Sequence, residues 1–297
     1  AKDSQLSKRS LYWDWGENVP RRNPAWDSLP RDRRGDLARR MAIYAAMVDQ
    51  MDRNIGRVID DLKTNGEFEN TLVVFISDNG ACYEWDPFGF DVWSSRNNKL
   101  HWGDQLELMG NAESYHSIGS GWSNASNTPF RLYKHYSHEG GISMPAIVHW
   151  PGGKLPKGKV LDTPAHIIDL VPTMLEAANA EYPQQWQENS TMKLPGLSLV
   201  DLWRTGKPDD VMHKRALFFE HQGSRAVREG NWKLVATRGQ PWELYHVSHD
   251  RIESRDLVKR HPLLARTLAA KWDRWAEANQ VTPLPRNLGA DYLPPLP

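Results

Sequence analysis

Apolar residues recur at spacings of three and four along residues 36–65: Leu37, Met41, Tyr44, Val48, Met51, Ile55, Val58 and Leu62. On a helix these positions form one stripe, with Asp, Arg and Gln elsewhere. The spacing predicts a long amphipathic helix, stopped at Asn65-Gly66. The period then changes. Thr71-Leu-Val-Val-Phe-Ile-Ser77 is continuously apolar and rich in β-branched residues, the pattern of a strand buried on both faces in a parallel sheet. Helix followed by such a strand is half of a βαβ unit. A second short strand is expected at 146–149, stopped by Trp150-Pro151-Gly152-Gly153. A helix is expected to open at Asp169 with Pro172 in its first turn.

Between these elements, residues 81–128 show no sustained period and are rich in Gly, Ser, Asn and aromatics. So long an irregular stretch inside a domain is usually functional or mobile. Residues 180–215 read as a connector with Pro183, Pro195 and Pro208. Beyond it, short strands at 216–220, 225–228, 231–235 and 243–246 are separated by turn signals such as Glu229-Gly230. A helix at 262–278 follows, with Leu263, Leu264, Leu268, Trp272 and Trp275 on one side, and then a Pro-rich tail from Pro283. The expected fold is α/β: part of a mixed, mostly parallel sheet flanked by helices, plus a small C-terminal antiparallel sheet with a helix. The expected division is 1–205 and 206–297.

Composition narrows the function classes. Lys+Arg and Asp+Glu both number 37, so there is no basic excess of the kind that favours nucleic acid. No run of about 18 apolar residues exists to span a membrane. Cys82 is the single cysteine, which excludes an internal disulfide. The first 34 residues are polar and broken by Pro20, Pro24 and Pro30, and the chain starts at Ala1 without Met or a signal-peptide pattern. Together these give the expectation of a fragment or a processed product.

Candidate chemistry sits at two places. Ser77-Asp78-Asn79-Gly80 lies at the carboxyl end of the expected buried strand, where open α/β sheets bind ligands. Asp78 and Asn79 offer hard oxygen ligands suited to Ca²⁺ or Mg²⁺, and Gly80 lets the backbone turn sharply. By itself the motif reads first as an ordinary turn. Further on, Lys134 lies on a loop feeding the 146–149 strand, where an ammonium near a metal could clamp an oxyanion. A single lysine is more often simply solvated. Gly140-Gly141 would allow close backbone approach. His135 and His138 lack other ligands at zinc-site spacing and read as structural or rim residues.

These segments resemble one family in order and spacing. The string from Tyr44 to Arg57 resembles the sulfatase helix that precedes the metal strand. Val74-Phe-Ile-Ser-Asp-Asn-Gly80 resembles the strand whose Asp and Asn bind metal. Asn127-Thr-Pro-Phe-Arg, Lys134, His-Glu-Gly-Gly-Ile142 and Pro145 resemble the segment whose Lys contacts sulfate. The 225–235 and 242–245 segments resemble the C-terminal sheet. The resemblance, closest to the arylsulfatase-like branch, runs from about Trp26 to Trp275. It implies sulfate-ester hydrolysis, with Asp78 and Asn79 as metal ligands, Lys134 as the sulfate contact, and Ca²⁺ as the ion, Mg²⁺ second to it. It also implies a formylglycine nucleophile made from a Cys/Ser-x-Pro/Ala-x-Arg motif, and a periplasmic or secreted location.

The departure from the family is that motif. Cys82 is followed by Tyr-Glu-Trp-Asp, and no matching motif stands elsewhere. The family's N-terminal aspartate pair, its Arg and its first Lys and His also lack counterparts. The expectation is about half a metal shell, weak Ca²⁺ binding and no hydrolysis by this chain alone. Two alternatives stand beside it: a phosphate or phosphonate ester hydrolase of the alkaline-phosphatase superfamily, and a non-catalytic module holding a sulfated glycan. The expected partner is a sulfate-ester small molecule or a sulfated glycan, with no nucleic acid and no membrane. Tyr83, Trp85, Trp93, His101, Trp102, Tyr115, His116 and Trp122 are the loop residues that could wall a pocket.

Overall fold

A computed structural model describes residues 12–13, 21–84, 87–91 and 98–281. Trp85, Trp93, most of the Pro-broken N-terminal stretch and the tail from Pro283 lie outside the described residues. The expected first helix is α1 (Arg31–Thr64). Gly66 takes φ 75°, and the Glu67 amide donates to the Leu62 carbonyl at 2.9 Å, which closes the helix end. The apolar stripe is only partly used. Asp36, Leu37 and Arg40 are buried, whereas Val48, Met51, Ile55 and Val58 are exposed.

The strand expected at 71–77 forms β1 (Val73–Ile76), and β2 (Ala146–His149) is its partner. Two expectations are corrected here. The pair is antiparallel, Val73 opposite His149 and Ile76 opposite Ala146, rather than parallel. Nor is β1 buried on both faces. Leu72, Val74 and Val148 pack against Leu199, Leu202, Trp203 and Met212, while Phe75, Ile76 and Ile147 remain exposed. The physical reason is that this sheet has two strands. Alternate side chains of a strand leave by opposite faces, so the exposure of the adjacent Phe75 and Ile76 opens both faces at the carboxyl end of β1, while Leu72 and Val74 nearer its start pack on the Leu199 cluster.

Contacts divide the chain into two compact units. One comprises Ala1–Asn54, Ser77–Pro145 and Phe218–Pro297, the other Ile55–Ile76 and Ala146–Leu217. In the second unit, a single 3-10 turn leads into α3 (Leu170–Ala177). His166 caps that turn, and Asp169 is clamped by both terminal nitrogens of Arg215 at 2.6 Å. In the first unit, the irregular 81–128 stretch holds the short helix α2 (Gly119–Ser126) and a bridge between Asp91 and His116.

The C-terminal expectations match closely. Strands β3 (Ala216–His221), β4 (Ser224–Glu229), β5 (Trp232–Ala236) and β6 (Glu243–His246) form one sheet in the order β6-β5-β4-β3. Pairings β4–β5 and β5–β6 are antiparallel. Helix α4 (Pro262–Ala278) buries Leu268, Trp272 and Ala276, and Trp275 stacks on Phe218 at 5.2 Å between centroids. Leu263, expected on the same side, is exposed because it sits in the first turn at the stripe's edge.

Candidate functional site

Glycine contacts bring the two sequence motifs together. The Gly80 amide donates to the Gly141 carbonyl at 3.1 Å. A Cβ on Gly80 would lie 1.9 Å from the Gly140 oxygen, and one on Gly141 would lie 1.8 Å from the Tyr136 oxygen. Only hydrogen fits at such distances. Asn127 fastens the same contact. Its Nδ2 donates to the carbonyls of Gly140 (2.7 Å) and Leu132 (2.9 Å), and its Oδ1 accepts from the Ala81 amide (3.1 Å). The Lys134 amide donates to the Ala81 carbonyl at 3.2 Å. Thus the turn after β1 and the Lys134 segment meet backbone to backbone. Asp78 is exposed there and Asn79 half-buried.

Side-chain chemistry follows from that meeting. Lys134 Nζ donates to Glu84 Oε1 at 2.8 Å, and His135 Nε2 lies 2.8 Å from the same oxygen. His135 Nδ1 is 2.9 Å from Nε2 of His221, at the end of β3. His135 has φ 77°, a strained conformation for a residue with a Cβ. Burial opposes the Lys134 charge, but the Glu84 hydrogen bond, with the charges of Glu84 and Asp78, holds its pKa above the ordinary value. Burial, then the Glu84 charge, pushes the Cys82 thiol up. That is the reverse of an activated nucleophile. Glu84 and His221 were not singled out from sequence. Glu84 had a visible signal, an acid two residues past Cys82. His221 had none, because its neighbour is 86 residues away.

The flanks of Lys134 are pinned to the C-terminal sheet. Arg131 Nη1 donates to Glu243 Oε2 at 2.6 Å and to Tyr245 Oη at 2.9 Å. Beyond the lysine, fully buried Lys233 lies 2.9 Å from both Glu139 and Glu253. His138 is buried against Glu243, a structural role as expected. The loop aromatics divide. Tyr83 is a core residue packed with Phe90, Leu132, Tyr133 and Tyr136. Trp122 is half-buried and donates to the Leu37 carbonyl at 2.9 Å. Trp102 and Tyr115 are exposed.

Asp91, His101 and His116 form a second cluster that could hold a metal ion. Asp91 Oδ1 lies 3.0 Å from His101 Nε2 and 2.6 Å from His116 Nδ1. Both carboxylate oxygens also accept from Arg40 Nη2, at 2.9 and 2.8 Å, and Oδ2 accepts the Lys99 amide at 2.7 Å. The carboxylate is therefore neutralised and saturated by protein donors, which leaves little affinity for a cation. Asp78, exposed, and Asn79, half-buried, carry hard oxygens of the kind that suit Ca²⁺ or Mg²⁺, and two protein ligands are only part of a shell.

The fold resembles solved structures of one class. These are Ps i-CgsB (TM-score 0.57, 24% identity, 84% of this chain and 44% of that chain) and Ps i-CgsB in complex with k-i-k-neocarrahexaose (TM-score 0.60, 24% identity, 90% and 49%). The sulfatase family model matches residues 9–180, and the model of the N-sulphoglucosamine sulphohydrolase C-terminal region matches residues 130–274. The chain belongs to the sulfatase family. It is 38% identical over 259 residues to an uncharacterized sulfatase of Schizosaccharomyces pombe, covering 84% of this chain and 45% of that relative. It is 31% identical over 181 residues to the arylsulfatase of Klebsiella aerogenes, covering 59% and 37%. The chain thus spans less than half the length of these relatives.

Proposed function

We propose that this chain supplies part of the active site of a sulfuric ester hydrolase of arylsulfatase type. Asp78 and Asn79 would hold one side of a divalent ion, Ca²⁺ before Mg²⁺, and Lys134 would bind the sulfate. What supports the reading is the backbone meeting of the two segments, Gly80 against Gly140 and the Lys134 amide on the Ala81 carbonyl. A bound ion there would polarise the sulfate oxygens. Lys134 contributes a fixed positive charge and donors where negative charge gathers. Cys82, its thiol disfavoured as a thiolate, is not the nucleophile. That group, a formylglycine, comes from sequence outside residues 1–297. The substrate is a sulfate-ester small molecule or a sulfated glycan, and the location periplasmic or secreted. No described helix is long and apolar enough to cross a membrane.

Calorimetry of Ca²⁺ and phenyl sulfate with the 297-residue chain tests this. Weak Ca²⁺ binding that disappears in Asp78→Ala and Asn79→Ala, with phenyl sulfate binding that disappears in Lys134→Ala, is expected. Binding unchanged by all three substitutions refutes the assignment. Hydrolysis by the chain alone would refute the external nucleophile. Reading the native frame ahead of Ala1 for Cys/Ser-x-Pro/Ala-x-Arg checks that last point independently.

A further inference from the structure

Lys134 does not face its ligand site alone. Glu84 Oε1 is within 2.8 Å of its ammonium, and Glu84 is itself held by His135, which is held by His221. A carboxylate accepts hydrogen bonds and gives none. The chain of donors therefore runs from His221 Nε2–H to His135 Nδ1, and from His135 Nε2–H to Glu84. The glutamate is buried to the same degree as His135, with side-chain exposures of 11% and 13%, so it cannot swing aside without breaking both contacts. Any anion that Lys134 binds must sit beside this fixed negative charge.

Glu84 therefore offsets part of the attraction that Lys134 gives to each further negative charge on the ligand. A sulfate monoester carries one. A phosphate monoester, with a second pKa of about 6, carries close to two above neutrality. Inorganic sulfate, the product of ester hydrolysis, carries two. From this geometry we infer that Glu84 is a specificity-determining residue: it weakens the hold of the Lys134 site on doubly charged oxyanions more than on singly charged ones, and His135 and His221 position it. The inference rests on the proposed sulfate reading of Lys134. It adds that Glu84 disfavours phosphate monoesters and the dianionic product relative to sulfate monoesters, the use of an unfavourable contact to obtain specificity.

One extra negative charge about 5 Å from the carboxylate, at an effective dielectric between that of water and a protein surface, changes affinity by about tenfold. The test measures phenyl sulfate and phenyl phosphate binding to the 297-residue chain at pH 8 with calcium present. Binding is followed as chemical-shift changes of the Lys134 side chain, assigned by its loss in Lys134→Arg. Glu84→Gln should strengthen phenyl phosphate about tenfold more than phenyl sulfate, and Glu84→Asp should keep the affinity ratio of the unaltered chain. His221→Asn should shift the ratio part of the way. If both ligands bind at Lys134 and Glu84→Gln changes their ratio by less than about twofold, the discrimination is wrong while the sulfate reading stands. If neither ligand perturbs Lys134 in any variant, the sulfate reading itself fails and the discrimination falls with it. A uniform loss of both ligands in Glu84→Gln and Glu84→Asp alike would mean that Glu84 only supports the loop.

Discussion

Replacing Lys233 with Met tests how the Lys134 segment is held. The ammonium of Lys233 has no solvent exposure and lies 2.9 Å from Glu139 and 2.9 Å from Glu253. At an effective dielectric of about 20 each contact is worth about 6 kcal/mol. Burying the ammonium costs several kcal/mol, which Met avoids, so the expected net loss is about 3–5 kcal/mol. That is a large part of the stability of an ordinary domain. Acid should narrow the loss. Burial alone would raise the Glu139 pKa, but Lys233, with Arg228 and Arg251, draws it below the ordinary carboxylate value. A depressed carboxylate stabilises above its unfolded pKa, and that contribution is lost as the pH falls through the folded value. Without Lys233, Glu139 and Glu253 are buried together without that cation. The Glu139 pKa rises once Lys233 no longer draws it down, and the variant gains stability as the pH falls through it. Urea denaturation of both chains at pH 7 and pH 5 should therefore give a difference that shrinks on acidification. A loss below about 1 kcal/mol at pH 7, or one equal at both pH values, would refute the account.

Three further outcomes follow from the same structure. Arg40→Met leaves Asp36 and Asp91 buried without their shared cation and should cost about 3–5 kcal/mol by thermal or urea unfolding. Burial opposes the Glu243 charge, but His138 and Arg131 hold its pKa well below the ordinary 4.5; its contribution is present above pH 4.5 and lost on acidification below it, so Glu243→Gln should flatten the acid limb of the stability–pH curve. Gly80→Ala should cost about 2–3 kcal/mol from overpacking and abolish Ca²⁺ binding seen by calorimetry, because its Cβ collides with the Gly140 carbonyl; unchanged binding would separate the turn from the metal site.

Legibility in the sequence followed the range of the interactions. The C-terminal strands and α4 were readable because turn residues and apolar period are local properties. The position of β1 was readable for the same reason. Its surroundings were not, since a run such as 71–77 reports how many faces could be buried and says nothing of which layers cover them. In this chain Phe75, Ile76 and Ile147 stay exposed. The sequence signalled Asp78, Asn79 and Lys134 as residue types in a family order, and Gly140-Gly141 as a close approach. It was silent on His221 and gave for Glu84 only an acid two residues past Cys82; the importance of both comes from which side chain each one touches.

The placement of Lys134 shows why a small C-terminal sheet matters to a site that none of its strands contains. A lysine on an irregular segment would lose its geometry to rotamer entropy unless its backbone were fixed. Here the fixing is charged on both sides: Arg131 to Glu243 and Tyr245, part-buried, before it, and Glu139 to Lys233, fully buried, after it. Each partner comes from β5 or β6. A buried ion pair adds little net stability over an apolar pair, but it tolerates no alternative register, because a shifted strand leaves a charge unpaired. The sheet therefore acts less as a source of stability than as a gauge that sets where Lys134, and with it Glu84, can stand relative to Gly80.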